Sequence, residues 1–275
     1  MERLTPLHCN GCMNEILVLG GTGKTGRRIV HRLHAAGIPV RVGSRTAPIP
    51  FDWTDRATWA PALSGIETVY VSYYPDLAVP GAPDDIGAFT TAAVDAGVSR
   101  LVLLSGRGED EAATCERVVQ GAGIDWTVLR CSWFNQNFSE DYLLDAVLAG
   151  EVALPVADVP EPFVDADDIA DVAVAALTQD GHAGQVYELT GPRLLTFADA
   201  VAEIAAATGR PVTFVQVPPQ DYAAALPPEV AELLMYLFTT VLDGRNAHLT
   251  GDLRRVLGRE PRDFAEYAKA TADVW

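Results

Sequence analysis

Three glycines spaced three residues apart, Gly20, Gly23 and Gly26, give the pattern GxxGxxG between an apolar run at 16–19 and a helical pattern at 27–35. In such a strand-to-helix turn the glycines allow a tight bend, close approach of a pyrophosphate and close helix packing. The helix N-terminus adds free N–H groups and a positive dipole end. A plain glycine-rich connection is the alternative. The pattern predicts a dinucleotide-binding turn made of Gly20, Gly21, Thr22, Gly23, Lys24, Thr25 and Gly26.

The Gly23-Lys24-Thr25 tripeptide looks like the end of a nucleotide triphosphatase P-loop. That motif is GxxxxGK[ST], and Gly20 stands too close to Lys24 to supply its first glycine. The dinucleotide interpretation is therefore preferred.

The second apolar run, at 39–43, is followed by Ser44 and Arg45. An NAD-preferring site usually has an acidic residue here for the ribose 2′-hydroxyl, but none occurs before Asp52. A planar guanidinium and a hydroxyl suit a phosphate monoester, so NADP(H) is the predicted cofactor. A solvated loop arginine is the alternative. The predicted cofactor set is completed by Asp52, Ser72 and Tyr73.

Composition limits the classes of partner. The net charge is −17, with 37 acidic against 20 basic side chains. This balance disfavours nucleic acid and anionic membrane surfaces, which attract lysine and arginine. No apolar run approaches the roughly 20 residues of a membrane span, and no signal-peptide pattern is found. The sequence thus predicts a cytoplasmic protein with free thiols.

A CxxC pair, Cys9 and Cys12, raises the question of a metal or redox site. No second pair or histidine-rich segment completes a tetrahedral ligand set, so no metal is predicted. Residues 1–13 are expected to be a loosely ordered extension, with Met13 as an alternative start.

Apolar strand patterns alternate with helical ones through the first half of the chain. They lie at 15–19, 39–43, 49–52, 68–73, 100–105 and 126–130. This alternation predicts a doubly wound parallel α/β sheet of the Rossmann type over 14–150. A smaller, mainly helical lobe is expected over 151–275, with 163–190, including a strand at 185–189, packing back on the first domain. Helical patterns in this lobe lie at 167–177, 197–207, 228–241 and 263–274.

Two further segments carry a family resemblance. Residues 130–138 read RCSWFNQNF, and residues 162–170 read PFVDADDIA. Together with the glycine turn, they make the chain similar to the NmrA-like family of atypical short-chain dehydrogenases. The resemblance implies an NADP(H)-binding Rossmann domain with a small C-terminal lobe. Some members of that family reduce quinones and other carbonyl or conjugated substrates, whereas others are redox-sensing regulators.

Typical short-chain dehydrogenases donate a proton from a Tyr-x-x-x-Lys motif, in which the lysine lowers the tyrosine pKa. This spacing is absent here. When Glu116 is aligned with the glutamate that often follows the motif, Gly108 and Ala112 occupy the tyrosine and lysine positions. The usual acid catalyst is therefore missing.

Other residues at the predicted strand ends are candidates for catalysis or substrate binding. Ser105 and Tyr73 are the catalytic candidates, although Ser105 is equally an ordinary turn hydroxyl and Tyr73 a pocket wall. Aromatic rings and amide donors suit flat apolar ligands, whereas Trp133 and Phe138 could instead anchor the core. The substrate-binding candidates are Tyr74, Arg107, Trp133, Phe134, Asn137 and Phe138.

Three functions are compatible with this pattern. The first is an NADP(H)-dependent oxidoreductase that reduces a small, flat carbonyl, quinone or conjugated substrate without the Tyr-x-x-x-Lys dyad. The second is a non-catalytic NADP(H) sensor that acts through a protein partner. The third is an isomerase, dehydratase or cyclase on the same fold. A homodimer is compatible with each.

Overall fold

A six-stranded parallel sheet organises the computed structural model, which describes residues 14–275. The strand order is β2-β1-β3-β4-β5-β7, so the direction of winding reverses between β1 and β3. The predicted doubly wound Rossmann sheet is confirmed. The strands of the chain are β1 (Ile16–Leu19), β2 (Val40–Gly43), β3 (Thr68–Val71), β4 (Arg100–Gly106), β5 (Asp125–Cys131), β6 (Glu151–Leu154), β7 (Gln185–Leu189) and β8 (Thr213–Gln216).

Helices cover both faces of this sheet. The α-helices of the described residues are α1 (Lys24–Ala35), α2 (Trp59–Leu63), α3 (Ala82–Asp95), α4 (Asp110–Gln120), α5 (Leu144–Ala149), α6 (Ala166–Thr178), α7 (Phe197–Thr208), α8 (Pro219–Ala224), α9 (Pro228–Tyr236), α10 (Asp252–Leu257) and α11 (Phe264–Ala270). Successive side chains of a strand point to opposite faces. Leu17 and Leu19 therefore pack with α2, α3 and α4, whereas Ile16 and Val18 pack with α1 and α6.

A separate apolar core lies in the C-terminal part of the chain, where α7, α9 and α11 pack together with the two-stranded parallel sheet β6–β8. Helix α6 and strand β7 lie between β6 and α7 in the sequence but belong with the main sheet, since α6 packs on α1 and β7 pairs with β5. The C-terminal half thus contributes both to its own core and to the main sheet. The domain boundary at residue 150 stays a prediction.

The structure differs from the sequence prediction at two strands. The segment 49–52 is not a strand, because Pro48 and Pro50 lack the N–H group that a sheet requires. Phe51, which lies within the segment, and Trp53, which follows it, are instead buried among aromatic rings. The sheet β6–β8 was not predicted, since β6 (EVAL) begins with a charged residue, β8 (TFVQ) has polar residues at both ends, and prolines lie near β8.

The predicted extension and its CxxC pair, Cys9 and Cys12, lie outside the described residues. Within 14–275, no helix combines the length and apolarity required to cross a bilayer. No group of three or more histidine, cysteine, aspartate or glutamate side chains in this range has a metal-binding arrangement.

Candidate active site

The glycine turn joins β1 to α1. Gly20 adopts a positive φ of 64°, which glycine tolerates without a steric penalty. A Cβ at Gly26 would lie 2.1 Å from the Gly20 carbonyl oxygen, so only glycine fits there. The first N–H groups of α1 have no acceptor within the helix, and no acidic residue occupies its first turn. This cradle fits a pyrophosphate.

The two polar side chains that follow Gly23 have different roles. The buried Thr25 hydroxyl accepts a hydrogen bond from the Tyr70 hydroxyl at 2.9 Å, which braces the turn against β3. The Lys24 ammonium donates to Asn137 Oδ1 at 2.8 Å and to Asp141. It also lies 5.8 Å from the centre of the Phe134 ring. Lys24 therefore connects the turn to the loop that follows β5.

Polar groups at the end of β2 fit a ribose phosphate. The Ser44 hydroxyl oxygen is buried and forms no hydrogen bond with the described residues. The exposed Arg45 guanidinium lies 5.8 Å from the Tyr74 ring centre. The Asp52 carboxylate accepts the backbone N–H and hydroxyl of Thr54, and these bonds lower the pKa of Asp52. An unpaired hydroxyl beside an exposed guanidinium suits a 2′-phosphate better than a 2′-hydroxyl.

Two residues at the end of β3 lie on different sides of the site. Ser72 lies against the glycine turn, with its Oγ 3.3 Å from where a Cβ at Gly20 would stand. The Tyr73 phenol instead donates to Asp85 Oδ2 at 2.9 Å. Burial, together with this hydrogen bond, raises the pKa of Tyr73 above its usual value. A phenol with a higher pKa is a weaker acid, so the structure argues against Tyr73 as the proton donor.

Ser105 and Arg107 are both buried and bonded to protein groups. The Ser105 hydroxyl donates to Glu116 Oε1 at 2.7 Å. The Arg107 guanidinium donates to Ser132 Oγ at 3.0 Å and to the carbonyl of Asn246 at 3.3 Å. Both therefore hold the ends of β4 and β5 in place. A catalytic role of Ser105 and a substrate contact of Arg107, which also lines a cavity, stay predictions.

Glu116, which sequence analysis used only as an alignment marker, is the centre of this bonded group. It is almost fully buried and accepts hydrogen bonds from the Arg130 guanidinium at 2.5 to 2.9 Å. Arg130 also pairs with Glu188 on β7 at 3.5 Å. The charges thus connect α4, β5 and β7 at the edge of the site.

Three aromatic side chains that are not fully buried, Trp133, Tyr142 and Tyr222, form what we call the aromatic wall together with Phe238, the buried core residue on which Trp133 and Tyr222 pack. The Trp133 ring stacks on Phe238 at 5.3 Å, and Tyr222 meets Phe238 edge-on at 5.6 Å. The buried Trp133 indole nitrogen has no hydrogen-bond partner among the described residues. Tyr142 is 38% exposed, and desolvation raises its pKa above the usual value.

Of the four substrate candidates in the loop after β5, one is misplaced. Phe138 is fully buried and packs against Phe163 and Phe264, so it belongs to the C-terminal core and not to a pocket wall. Phe134 and Asn137 lie beside Lys24, as described above. Tyr142, Tyr222 and Phe238 were missed, because no local motif shows that residues so far apart in sequence meet.

Glu161 is a buried carboxyl behind the aromatic wall. Only 2% of the residue is exposed, and it accepts the Trp133 backbone N–H at 3.3 Å. Burial raises its pKa to about 7, although the Trp133 N–H and the Arg107 charge oppose the shift. The folded protein therefore holds a proton at this carboxyl that the unfolded chain releases near pH 4.5.

We expect Glu161→Gln to remove part of the pH dependence of stability. Between about pH 4.5 and pH 7 the folded state binds more protons at Glu161, so the free energy of unfolding falls as the pH rises. The loss at this one group amounts to about 3 kcal/mol at most. The free energy of unfolding, measured in urea at pH 5 and at pH 8, should differ less for Glu161→Gln than for the wild type. The control is Glu229→Gln, which changes an exposed side chain of α9. An unchanged difference in Glu161→Gln would contradict the assignment.

The acidic residues at the start of α6 are structural. The Asp165 carboxylate caps the helix by accepting the Asp167 N–H at 2.8 Å. Asp167 and Asp171 pair with Arg28 and Arg32 of α1. Fully buried Asp168 accepts Arg259 Nη2 at 2.6 Å and the Arg262 backbone N–H at 2.7 Å. Asp165 thus caps α6, while the other three carboxylates join α6 to α1 and to the C-terminal segment.

The turn, the ribose-side polar groups and the strand order define a Rossmann-fold nucleotide-binding protein. The model of the NmrA-like family matches residues 13–268, and the chain belongs to this family. It is 32% identical to an uncharacterized oxidoreductase of Bacillus subtilis, YesF, covering 95% of this chain and 96% of that protein. It is also 32% identical to the NAD(P)H azoreductase of Xenophilus azovorans, covering 94% and 98%.

A solved structure shares the fold. This is an NADPH-dependent quinone oxidoreductase from Escherichia coli in complex with NADPH, which is 24% identical and superposes with a TM-score of 0.75 over 93% of this chain and 99% of that chain. Both relatives are thus named as oxidoreductases, one of them as NAD(P)H-dependent, and a structural neighbour of the same fold holds NADPH.

Proposed function

We propose that this protein is an NADPH-dependent reductase of a small, flat quinone, carbonyl or conjugated substrate. The observation that carries the proposal is that Trp133 and Tyr142 of the aromatic wall lie on the loop that Lys24 connects to the glycine turn. A flat apolar ring fits beside stacked aromatic side chains. The azo and quinone substrates in the names of the relative and the structural neighbour are planar conjugated molecules of the same kind.

The cofactor would be held by groups at two strand ends. The glycine turn after β1 would bind the pyrophosphate, and Ser44 and Arg45 after β2 would bind the ribose phosphate. When bound, NADPH supplies a hydride. The work of the protein is then to orient the substrate, exclude water and stabilise the reduced oxygen.

Reduction can be tested directly by following NADPH consumption with a panel of quinones, aromatic aldehydes and azo dyes. Turnover with at least one planar class, and faster turnover with NADPH than with NADH, would support the proposal. Tight NADPH binding without turnover of any class would contradict it and would favour the nucleotide-sensing alternative, since the Tyr-x-x-x-Lys dyad is absent.

Removal of the ribose-side guanidinium should change the choice of nucleotide. We expect Arg45→Ala to weaken NADPH binding by about 10- to 100-fold, because one charge-assisted hydrogen bond contributes roughly 1.5–3 kcal/mol. NADH binding should stay within about twofold of wild type, since NADH lacks the phosphate. Titration of nucleotide fluorescence with both cofactors measures the two affinities.

The matched control is Arg56→Ala, which removes another exposed arginine that pairs with Asp85 at 3.0 Å. It should leave both nucleotide affinities unchanged. Equal loss of NADPH and NADH affinity in Arg45→Ala would show that the guanidinium does not read the 2′-phosphate.

A further inference from the structure

We propose that Glu109 is the proton donor of this enzyme, and that its carboxyl delivers a proton to the substrate oxygen as the hydride arrives. The inference rests on the proposed reductase function. It addresses the missing Tyr-x-x-x-Lys dyad, since Glu109 stands one residue after Gly108, the position aligned with the absent tyrosine. A catalytic acid must lie near the reacting atoms and must hold a proton at neutral pH.

The backbone places the Glu109 carboxyl at the ends of the central strands. Glu109 directly precedes α4, and its side chain folds back over Gly106, the last residue of β4. A Cβ at Gly106 would lie 2.0 Å from Glu109 Oε1 and 2.4 Å from Oε2. Any side chain at Gly106 would therefore displace the carboxyl, so the glycine keeps this position open for it.

This location matches the reactive half of the dinucleotide. The ribose-phosphate groups follow β2 and the pyrophosphate turn follows β1, on one side of the winding reversal. The other half of an extended dinucleotide must then run over the carboxyl ends of β3, β4 and β5. Gly106 ends β4, and the aromatic wall begins at Trp133, two residues after β5. The Glu109 carboxyl therefore lies where the substrate would meet the nicotinamide.

The Glu109 carboxyl is not used by the fold. It forms no hydrogen bond and no ion pair with any residue of the described range 14–275, whereas the nearby Glu116 is paired with Arg130 and Ser105. Charged and titratable groups surround it on several elements. Asp76, Glu116 and Cys131 interact with the Glu109 carboxyl, and Arg107, Arg130, Glu188, Arg245 and His248 line the adjoining cavity. Lys24 lies on the far side of Asp76 and interacts with that carboxyl.

Its surroundings favour the protonated form. Burial raises the pKa of Glu109 well above its usual value, and the Asp76 and Glu116 charges raise it further. Burial also raises the pKa of Asp76, which Lys24 partly opposes. Two neighbouring carboxyls that cannot both ionise easily retain a proton between them. A neutral carboxylic acid at pH 7 can donate that proton.

The proposed step balances in protons and electrons. When bound, NADPH would supply the hydride and both electrons, so that a C–H bond of its nicotinamide would break while a C–H bond, or one O–H bond of a hydroquinone, forms at the substrate. The Glu109 O–H bond breaks and an O–H bond forms at the substrate oxygen. The remaining Glu109 carboxylate regains a proton from water through a cavity of about 300 Å³, lined by Arg107, Glu109 and Glu116 and open to solvent.

The protonation of Glu109 can be measured without turnover. The infrared difference spectrum between wild type and Glu109→Gln at pH 7, without nucleotide, should show a carboxylic acid C=O band in the wild type only. Other buried carboxyls, such as Glu161, cancel because both proteins contain them. The Glu111→Gln variant, on the exposed side of α4, is the control and should retain the band. Absence of the band in the wild type would overturn the proposal.

Two substrates separate proton donation from hydride transfer. Reduction of a quinone such as menadione requires a proton, whereas a cationic triphenylmethane dye accepts hydride at a positively charged carbon and requires none. We expect Glu109→Gln to lower kcat for menadione by roughly 100-fold, with little change in KM for NADPH. The rate with the dye should stay within about twofold of wild type. This change is much smaller than the roughly 100-fold effect expected from loss of a general acid.

Equal losses with both substrates, or a raised KM for NADPH with kcat unchanged, would overturn the role of Glu109 as a donor. A wild-type protein that binds NADPH but reduces neither substrate would instead contradict the proposed function itself. The pH profile gives a further readout, since kcat for menadione should fall at high pH in the wild type and stay flat in Glu109→Gln.

Discussion

The substitution Gly26→Ala should abolish measurable NADPH binding. The added Cβ would lie 2.1 Å from the Gly20 carbonyl oxygen and 2.8 Å from the Gly21 Cα. These are backbone atoms that cannot rotate away, so α1 must move off the turn. Displacing two backbone donors from the phosphates costs roughly 3 kcal/mol or more, which weakens binding at least about 100-fold. Titration of nucleotide fluorescence measures the loss.

The control for Gly26→Ala is Gly87→Ala, because Gly87 lies within α3 and its new Cβ would meet only Val118 Cγ1 at 3.8 Å. Alanine also favours the helical state by roughly 1 kcal/mol over glycine. This variant should bind NADPH as the wild type does and be equally or more stable. Wild-type NADPH affinity in Gly26→Ala would show that the turn does not hold the pyrophosphate.

The largest effect on stability is expected for Asp168→Ala. Fully buried Asp168 accepts the Arg262 backbone N–H at 2.7 Å and Arg259 Nη2 at 2.6 Å. Breaking a buried pair generally costs 3–5 kcal/mol because the remaining charge loses its partner. The side chains of Arg259 and Arg262, which both pair with Asp168, are 37% and 38% exposed and regain water in the variant. We therefore expect the free energy of unfolding to fall by an amount near the lower end of this range, about 3 kcal/mol. Urea unfolding at pH 7 measures it.

Asp167→Ala is the comparison for this prediction, since Asp167 lies one residue earlier and pairs with Arg28 and Arg32 while 36% of its side chain is exposed. Solvent screening should limit that loss to about 1 kcal/mol. Losses of equal size in both variants would show that burial of Asp168 does not determine its contribution.

Features encoded by neighbouring residues could be predicted from the sequence. The glycine turn was predictable because its spacing, the preceding strand and the following helix are contiguous, and the strands of the main sheet because their apolar runs are long. The segment 49–52 was mispredicted because aromatic packing of Phe51 and Trp53 produces the same apolar pattern as a strand.

Residues whose roles depend on distant partners could not be predicted. Ser105 and Arg107 look like free polar groups at a strand end, but Glu116 and Asn246 bind them. The partner of Arg107 is 139 positions away, and no local pattern indicates that contact. The aromatic wall is assembled from residues that lie up to 105 positions apart in sequence, as the separation of Trp133 and Phe238 shows.

The Lys24 ammonium bonds to Asn137 and Asp141 from the turn that would receive the nucleotide phosphates. A phosphate that draws this ammonium toward itself competes with both side chains, and both belong to the loop that supports the aromatic wall. Binding at the nucleotide position would thereby change the affinity at the substrate position, and the two binding equilibria would be linked. Linkage is reciprocal. If bound NADPH changes the affinity for the substrate by a given factor, bound substrate changes the affinity for NADPH by the same factor. The affinities for the two ligands would then be coupled through one lysine side chain.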